Sequence, residues 1–449
     1  MSAWSGRRLH FIGIGGAGMS GLALVCARLG ATVTGSDRAD SSYMERLRKA
    51  GLDPAVGHDA ANLPEDAEVV VSTAIAADNP ELALARERGV EPIHRGQLLA
   101  ELCAEKRLIA IAGTHGKTTT TAMTAWALRQ LGADPAFFVG GEVPGLGPDG
   151  EAANAGWGEG EWVVAEADES DASFLRLHPE VAVVTNVEMD HHSRWGSLAE
   201  LHEAFIAFAG PARGLVVPGD EEMGWLGGAG DEVRHFDGAS PGPAELGLSV
   251  PGEHNRRNAR AGIAALELAG FDGGEAAAAL SGFRGVHRRL ERKGNRGPVS
   301  IYDDYAHHPT EVRAVLSALR EQDPSRLVAV FQSHLYSRTK ALAEEFGAAL
   351  TLADEAIVLD VYPAREEPVG ELAGVSGLQI AQAAAERGRG MPVWWLPTGE
   401  LAERALADRL DHNRELYGSG TVLVTIGAGD VFKVGESLVT AGSTGEGER

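Results

Sequence analysis

Lysine is scarce in this chain: six occur in 449 residues, and none lies between Lys117 and Lys293. Cysteine is scarcer. Cys26 and Cys103 sit in apolar, helix-like contexts without metal-ligand spacing, which excludes a disulfide framework and reads as buried, reduced thiols. No apolar run is long enough to span a bilayer, so no membrane insertion is expected. The apolar stretch after Arg7 and Arg8 is short and ends in glycines, without a small-residue cleavage site; the expected location is the cytoplasm. Positive charge is also in deficit. The 40 Lys and Arg face 64 Asp and Glu, a net charge of -24, which argues against nucleic acid or an anionic membrane as partner. Such a surface repels anionic substrates too, so a phosphate site must be built locally, from backbone N–H groups and a few placed cations.

With 44% hydrophobic residues, the chain is long enough for two or three domains. Strand-like and helix-like runs alternate almost throughout, which predicts an α/β protein with mostly parallel sheets. Polar, Gly-rich joints at "EKR" and "RKGNRGP" divide it into units over 1–107, 108–293 and 294–449. Stretches 140–160 and 227–250 are rich in Gly, Pro and Ala and are expected as surface loops, one of them a lid. The closing "AGSTGEGER" reads as a frayed tail, and no solenoid repeat is visible.

The stretch "LHFIGIGGAGMSG" reads as a buried strand from Leu9 to Ile14, then a G-x-G-x-x-G loop at Gly13, Gly15 and Gly18 opening a helix to Leu29. An acid follows at Asp37, at the end of a second strand-like run, "ATVTGSD". Such a loop suits any diphosphate, and alone it leaves a nicotinamide oxidoreductase open.

A second turn, "GTHGKTTTT", is more specific. Gly113, Gly116, Lys117 and Thr118 follow a buried strand and open a helix, which predicts an ATP site: N–H groups cradle phosphates, the lysine reaches the terminal ones and the hydroxyl holds Mg²⁺. Ile111 stands where the usual P-loop has its first glycine. Glu166, ending the strand-like run in "EWVVAEADESD", supplies the metal carboxylate. "VVTNVEMDHH" sets Asn186, Asp190, His191 and His192 after another strand. Alone, a histidine there is more often a solvated loop residue; beside a P-loop it reads as a second metal ligand.

"GTHGKTTT", "EADESDASF", "TNVEMDH", "PGEHNRRNARAG" and "DDYAHHPTE", in this order and spacing, resemble the Mur ligases, which build the peptide of bacterial cell-wall precursors. The resemblance covers nearly the whole chain. It implies three domains: a Rossmann-like N-terminal domain, a central P-loop ATPase domain and a Rossmann-like C-terminal domain. The first loop would then hold a UDP-sugar, through Gly13, Gly15, Gly16, Ala17, Gly18 and Met19, with Ser36, Asp37, Ser72 and His115 around it.

The implied reaction is ATP-dependent. The lactyl carboxylate of UDP-N-acetylmuramic acid becomes an acyl phosphate, and the amine of L-alanine displaces phosphate. Gly113, Thr114, His115, Gly116, Lys117, Thr118 and Thr119 would hold ATP, with Asn255 and Asn258 on the adenine and Arg289 and Asp304 on the phosphates and nucleotide. Thr118, Glu166 and His191 would carry two Mg²⁺ ions, with Mn²⁺ able to substitute. Lys117, Glu166, His191 and Arg289 are the expected catalytic groups, and Tyr305, His307, His334 and Arg338 the amino-acid pocket. Contacts split in this way imply closure of the third domain during catalysis. For Arg289 and Arg338 the competing reading is a structural salt bridge.

Two departures are visible. "HHSRWGSLAELHEAFIAFA" has no lysine, whereas the family members adding later residues carry a carbamylated one there. Leu335 stands where the alanine-adding members usually have arginine. A recycling ligase that attaches preformed tripeptide, glycine or serine specificity, and a non-catalytic nucleotide-binding homologue remain as alternatives, as do monomer and homodimer.

Overall fold

A computed structural model describes residues 3–190, 194–219, 221–226, 228–236, 247–413 and 415–443. The chain divides into two compact bodies, Met1–Ser249 with Arg256–Arg284, and Val250–Asn255 with Gly285–Arg449. Among the described residues there are three sheets, of five, seven and six strands.

The first sheet is built from β1 (Arg8–Ile12), α1 (Ala17–Arg28), β2 (Thr32–Asp37), α2 (Ser42–Lys49), β3 (Ala55–Val56), β4 (Glu68–Val71), α3 (Pro80–Glu87), β5 (Ile93–His94) and α4 (Arg95–Cys103). Its order is β3-β2-β1-β4-β5, all parallel. The strand order reverses between β1 and its two flanks, so the loops after β1 and β4 open onto the crevice where such sheets take ligands. The first strand stops at Ile12, two residues before the expected end, because the N–H groups of Gly13 and Ile14 both turn to the Ser36 carbonyl.

The second sheet continues in the same body: β6 (Arg107–Ala112), α5 (Lys117–Gln130), β7 (Ala136–Val143), β8 (Ala153–Gly156), β9 (Trp162–Glu166), β10 (Val181–Val184), α6 (Leu198–Ala209), β11 (Gly214–Val217) and β12 (Glu232–His235), with α7 (Glu253–Leu268) and α8 (Gly273–Ala279) following. The order is β12-β11-β10-β6-β9-β7-β8, parallel except for β7 with β8. β6, β9 and β10 are near-continuous apolar runs, as strands buried on both faces must be.

One hydrophobic core joins these two sheets. It runs from Phe11, Leu22 and Val25 through Leu98 and Leu102 to Phe138, Phe174 and Phe205, each worth roughly 1.5–3 kcal/mol of burial. Stretch 140–160 is therefore not the free surface loop expected. It contains the β7–β8 hairpin, whose Asn154 amide donates to the Ala17 carbonyl and whose Glu142 pairs with Arg46 of α2. Within 227–250, 232–235 form β12, and 237–246 fall outside the described residues.

The second body holds β13 (Glu291–Arg296), β14 (Val299–Asp304), α9 (Pro309–Arg320), β15 (Arg326–Phe331), α10 (Tyr336–Leu350), β16 (Glu355–Val358), α11 (Gly377–Arg387), β17 (Val393–Trp395), α12 (Gly399–His412), β18 (Thr421–Ile426) and α13 (Phe432–Ser443). The order is β13-β14-β18-β15-β16-β17, an antiparallel hairpin followed by parallel strands. The join expected at 293/294 falls inside β13, and this body resumes at Gly285. α13 extends to Ser443, three residues into the stretch expected to fray. No helix among the described residues is long and apolar enough to cross a membrane.

Candidate active site

The second glycine turn lies between β6 and α5. Gly116 has φ +84°, a left-handed conformation that L side chains adopt at a cost, and a Cβ there would lie 2.5 Å from Asn258 Oδ1. The turn is tied to the next strand end: the Thr114 N–H donates to the Asn186 carbonyl at 3.0 Å, and the His115 N–H to Asn186 Oδ1 at 2.9 Å. His115 Nε2 is 3.3 Å from Glu188 Oε2. Because α5 starts here, its first N–H groups have no intrahelical acceptor and face the turn.

Lys117 curls over the turn, donating to the carbonyls of Gly113 at 2.6 Å and Thr114 at 3.1 Å, and pairs with Glu169 at 2.9 Å. Burial opposes its charge, but Glu169, Asp168 and Glu166 outweigh that and hold it above the usual lysine range. Burial likewise works against Asp168, yet Lys117 and Arg95 keep it well below the usual carboxylate range. Glu169 goes the other way: burial, with Asp168 adjacent, pushes it up to about 7 against the pull of Lys117.

Thr118 donates to Glu166 Oε1 at 3.0 Å, and the Gly140 N–H to Glu166 Oε2 at 2.7 Å. A hydroxyl and a carboxylate brought together at a helix N-terminus are hard oxygen donors of the kind Mg²⁺ takes, so these residues fit a divalent ion. Thr119 is buried within α5. His191, expected as the second metal ligand, and His192 lie outside the described residues.

The first glycine turn is anchored differently. The Gly15 N–H donates to Asp37 Oδ2 at 2.9 Å, so Asp37 braces the loop. Gly16 caps α1, which leaves the N–H groups of Ala17, Gly18 and Met19 without intrahelical acceptors; the Met19 side chain itself is core. Ser36 is fully buried, and its hydroxyl donates to Glu81 at 2.7 Å, beside His58. Ser72 sits just past β4, on the crevice side.

In the second body, Arg289 follows Arg288, whose guanidinium is held by Asp303 at 3.1 Å and lies over the rings of Tyr305 and Phe432. Asp304, expected on the nucleotide, accepts at 2.7 Å from the N–H groups of Leu290 and Ala306, one on each oxygen. It thus fixes the turn that displays Arg289. Burial pushes it up to about 7, with Arg289 pulling the other way. Asn255 is buried, and one N–H of its side-chain amide donates to the Pro251 carbonyl at 2.7 Å.

Tyr305, His307, His334 and Arg338 do come together. The Tyr305 and His307 rings are 5.6 Å apart, His307 and His334 6.4 Å, and Arg338 Nη1 is 3.5 Å from His334 Nδ1. Tyr362, missed in the sequence, stacks on His334 at 5.8 Å and exchanges backbone bonds with Ser333 and Leu335. Leu335 takes φ +74° immediately before α10, strain of the kind that collects at ligand sites. Glu169, Asp168 and Asp171 were also missed, though their motif was in view; Arg95 carries no local signal.

Three family models match the chain: the Mur ligase family catalytic domain over residues 8–107, the Mur ligase middle domain over 111–226 and the Mur ligase glutamate ligase domain over 288–429. The chain is 43% identical to a UDP-N-acetylmuramate--L-alanine ligase of Renibacterium salmoninarum, over 97% of this chain and 96% of that protein. It is 42% identical to its counterpart in Rubrobacter xylanophilus, over 96% and 99%. Among solved structures it is similar to a UDP-N-acetylmuramate-alanine ligase of Thermotoga maritima, with TM-score 0.80, 29% identity and coverage of 98% and 99%. A murein peptide ligase of Psychrobacter arcticus gives TM-score 0.72, 25% identity and coverage of 97% and 99%.

Proposed function

The chain belongs to the Mur ligase family, and from that premise we propose that it joins L-alanine to the lactyl carboxylate of UDP-N-acetylmuramic acid, converting ATP to ADP and phosphate. The observation that carries this reading is the pairing of two glycine turns in one body: a diphosphate-binding turn at α1, and at α5 a turn with Lys117, Thr118 and Glu166. A nicotinamide oxidoreductase has no use for the second.

A carboxylate is a poor electrophile, and here it must meet a second anion, the γ-phosphate. Lys117, once drawn from the Gly113 and Thr114 carbonyls onto the β/γ-phosphates, offsets that repulsion. The α5 N–H groups of the turn hold the remaining phosphate oxygens. Thr118 and Glu166 would hold Mg²⁺, or Mn²⁺ in its place, which supplies charge neutralisation on the phosphates. Phosphoryl transfer gives the acyl phosphate; the amine attacks its carbonyl carbon, and the tetrahedral intermediate expels phosphate. Arg289 is the cation suited to the phosphate that leaves.

For the acceptor, Arg338 and the first N–H groups of α10 suit a carboxylate, and His334, stacked on Tyr362, forms one wall. The cytoplasm is the compartment in which such a precursor and ATP meet.

The test is phosphate release from ATP and Mg²⁺ with UDP-N-acetylmuramic acid and L-alanine, glycine, L-serine or a preformed tripeptide. Release should require the sugar nucleotide and be fastest with L-alanine. Preference for tripeptide would move the protein to the recycling ligases, the activity named for its Psychrobacter neighbour. No turnover with any acceptor would leave a non-catalytic nucleotide-binding homologue.

A further inference from the structure

The first glycine turn, "GIGGAGM", contains no cation, yet it is proposed to hold a diphosphate in a chain of net charge -24. Its charge comes from elsewhere. Arg95, the first residue of α4, donates from Nη2 to Asp168 Oδ2 and to Asp171 Oδ2, both at 2.9 Å. Its other terminal nitrogen, Nη1, has no hydrogen-bond partner among the described residues and lies 3.5 Å from the place a Cβ on Gly18 would occupy. The side chain remains 27% exposed, and the nearest heavy atom to that Gly18 position is Arg95 Nη1, beside the α1 N-terminus.

This placement is built into the fold. A Cβ at Gly96 would overlap the Ser173 side chain, so the start of α4 is seated directly on the loop after β9. The Gly96 N–H donates to His94 Nδ1 at 3.1 Å, capping α4, and the Ser173 N–H to Asp171 Oδ1 at 2.9 Å. The same loop carries Asp168 and Glu169, which hold Lys117.

We infer that Arg95 serves both nucleotides: Nη2 fixes the 168–171 loop that sets Lys117, while Nη1 binds a phosphate oxygen of the sugar nucleotide seated on the Ala17, Gly18 and Met19 N–H groups. The inference rests on the sugar-nucleotide reading above. A forked guanidinium can divide its donors in this way, whereas an ammonium is a single point charge. Binding at one nucleotide site is thereby linked to the loop of the other, and linkage between them is reciprocal.

Calorimetric titration of UDP into the wild-type protein, R95Q, R95K and D171N tests this, with thermal unfolding of each. R95Q should weaken UDP by about 10–100-fold, the loss of one charge-assisted contact. R95K, which keeps the charge and covers the case in which R95Q fails to fold, should lose about 3–10-fold. D171N removes a partner of Nη2 but leaves Nη1 in place, and should hold UDP affinity within about threefold while lowering the melting temperature. Unchanged UDP affinity in R95Q and R95K, with melting temperatures lowered as in D171N, would reduce Arg95 to a strut and overturn the proposal. Failure of the wild-type protein to bind UDP would instead sink the sugar-nucleotide reading, whatever the variants do.

Discussion

Two strand–turn–helix units in one body present the same backbone device, an open helix N-terminus behind a glycine turn, and differ in where their charge resides. At α5 the cation is part of the turn: Lys117 sits among Glu166, Asp168 and Glu169, a carboxylate set dense enough that Glu169 is pushed up to about 7 by burial and its neighbours. At α1 the turn has no cation, and a single acid, Asp37, ties back onto it through Gly15. A binding loop needs only N–H groups and a borrowed charge. A loop at which charge is transferred needs a cation that moves and carboxylates that hold it until the nucleotide arrives.

The sharpest way to break this contrast is Lys117→Ala. Phosphate release at saturating ATP should fall by about 10²–10³-fold, the loss expected when a preorganised charge on the reacting phosphate is removed. UDP binding should change little. A variant that kept more than a tenth of the wild-type rate would mean that the α5 turn is a second binding loop only. Because the substitution breaks the ion pair with Glu169 and removes a cation that Asp168 and Glu166 also face, its melting temperature has to be measured alongside.

Next in size is a matched pair, Gly116→Ala and Gly15→Ala. At Gly116 alanine would have to hold φ +84° and push against the Asn258 amide, so ATP-dependent turnover should drop by about 10-fold or more. At Gly15 the new methyl would lie 3.0 Å from Asp37 Oδ2 and Met44 Cγ, contacts relieved by a few tenths of an ångström, and UDP affinity should weaken only about 2–5-fold. Titration of ATP and UDP into both variants checks the order. The reverse order would place the tighter constraint at the α1 turn.

What could be read without the structure follows from where each signal is stored. Both turns were legible because strand, glycines and helix are consecutive in the chain, and Thr118 with Glu166 because each stands at a strand or helix end whose side of the sheet is fixed by topology. The Ser36 contact was hidden for the opposite reason: Ser36 lies within β2, and Glu81, which takes its hydroxyl, is 45 residues on. The hold of Asp304 on the N–H groups of Leu290 and Ala306 was hidden as well, because no spacing rule announces that backbone turn. Arg95 was invisible because its partners lie 73 and 76 residues away. Leu335 showed as an odd residue type, yet its φ of +74° gave no sign, since leucine is not a residue that marks such a conformation.

The smallest effect on nucleotide binding tests the anchorage of the α1 turn. Glu81 is fully buried, and although burial raises its pKa, hydrogen bonds from His10, Ser36 and Asn62 bring it down to about 2. Its folded pKa is therefore below its unfolded value near 4.5. The stability it contributes is complete above that unfolded value and is lost as pH falls from about 4.5 towards about 2, by up to roughly 3 kcal/mol. Glu81→Gln should flatten the acid limb of the melting-temperature profile over that interval. Between pH 6 and 8, where Glu81 stays ionised, the profile should keep its wild-type shape. UDP affinity at pH 7.5 should shift by no more than about threefold, because Glu81 meets the strands behind the turn through His10 and the Ser36 hydroxyl, while the Ser36 carbonyl still receives the Gly13 and Ile14 N–H groups. A larger loss of UDP affinity, with the acid limb unaltered, would make Glu81 part of the nucleotide site and would show that the α1 turn, like the α5 turn, depends on a buried carboxylate.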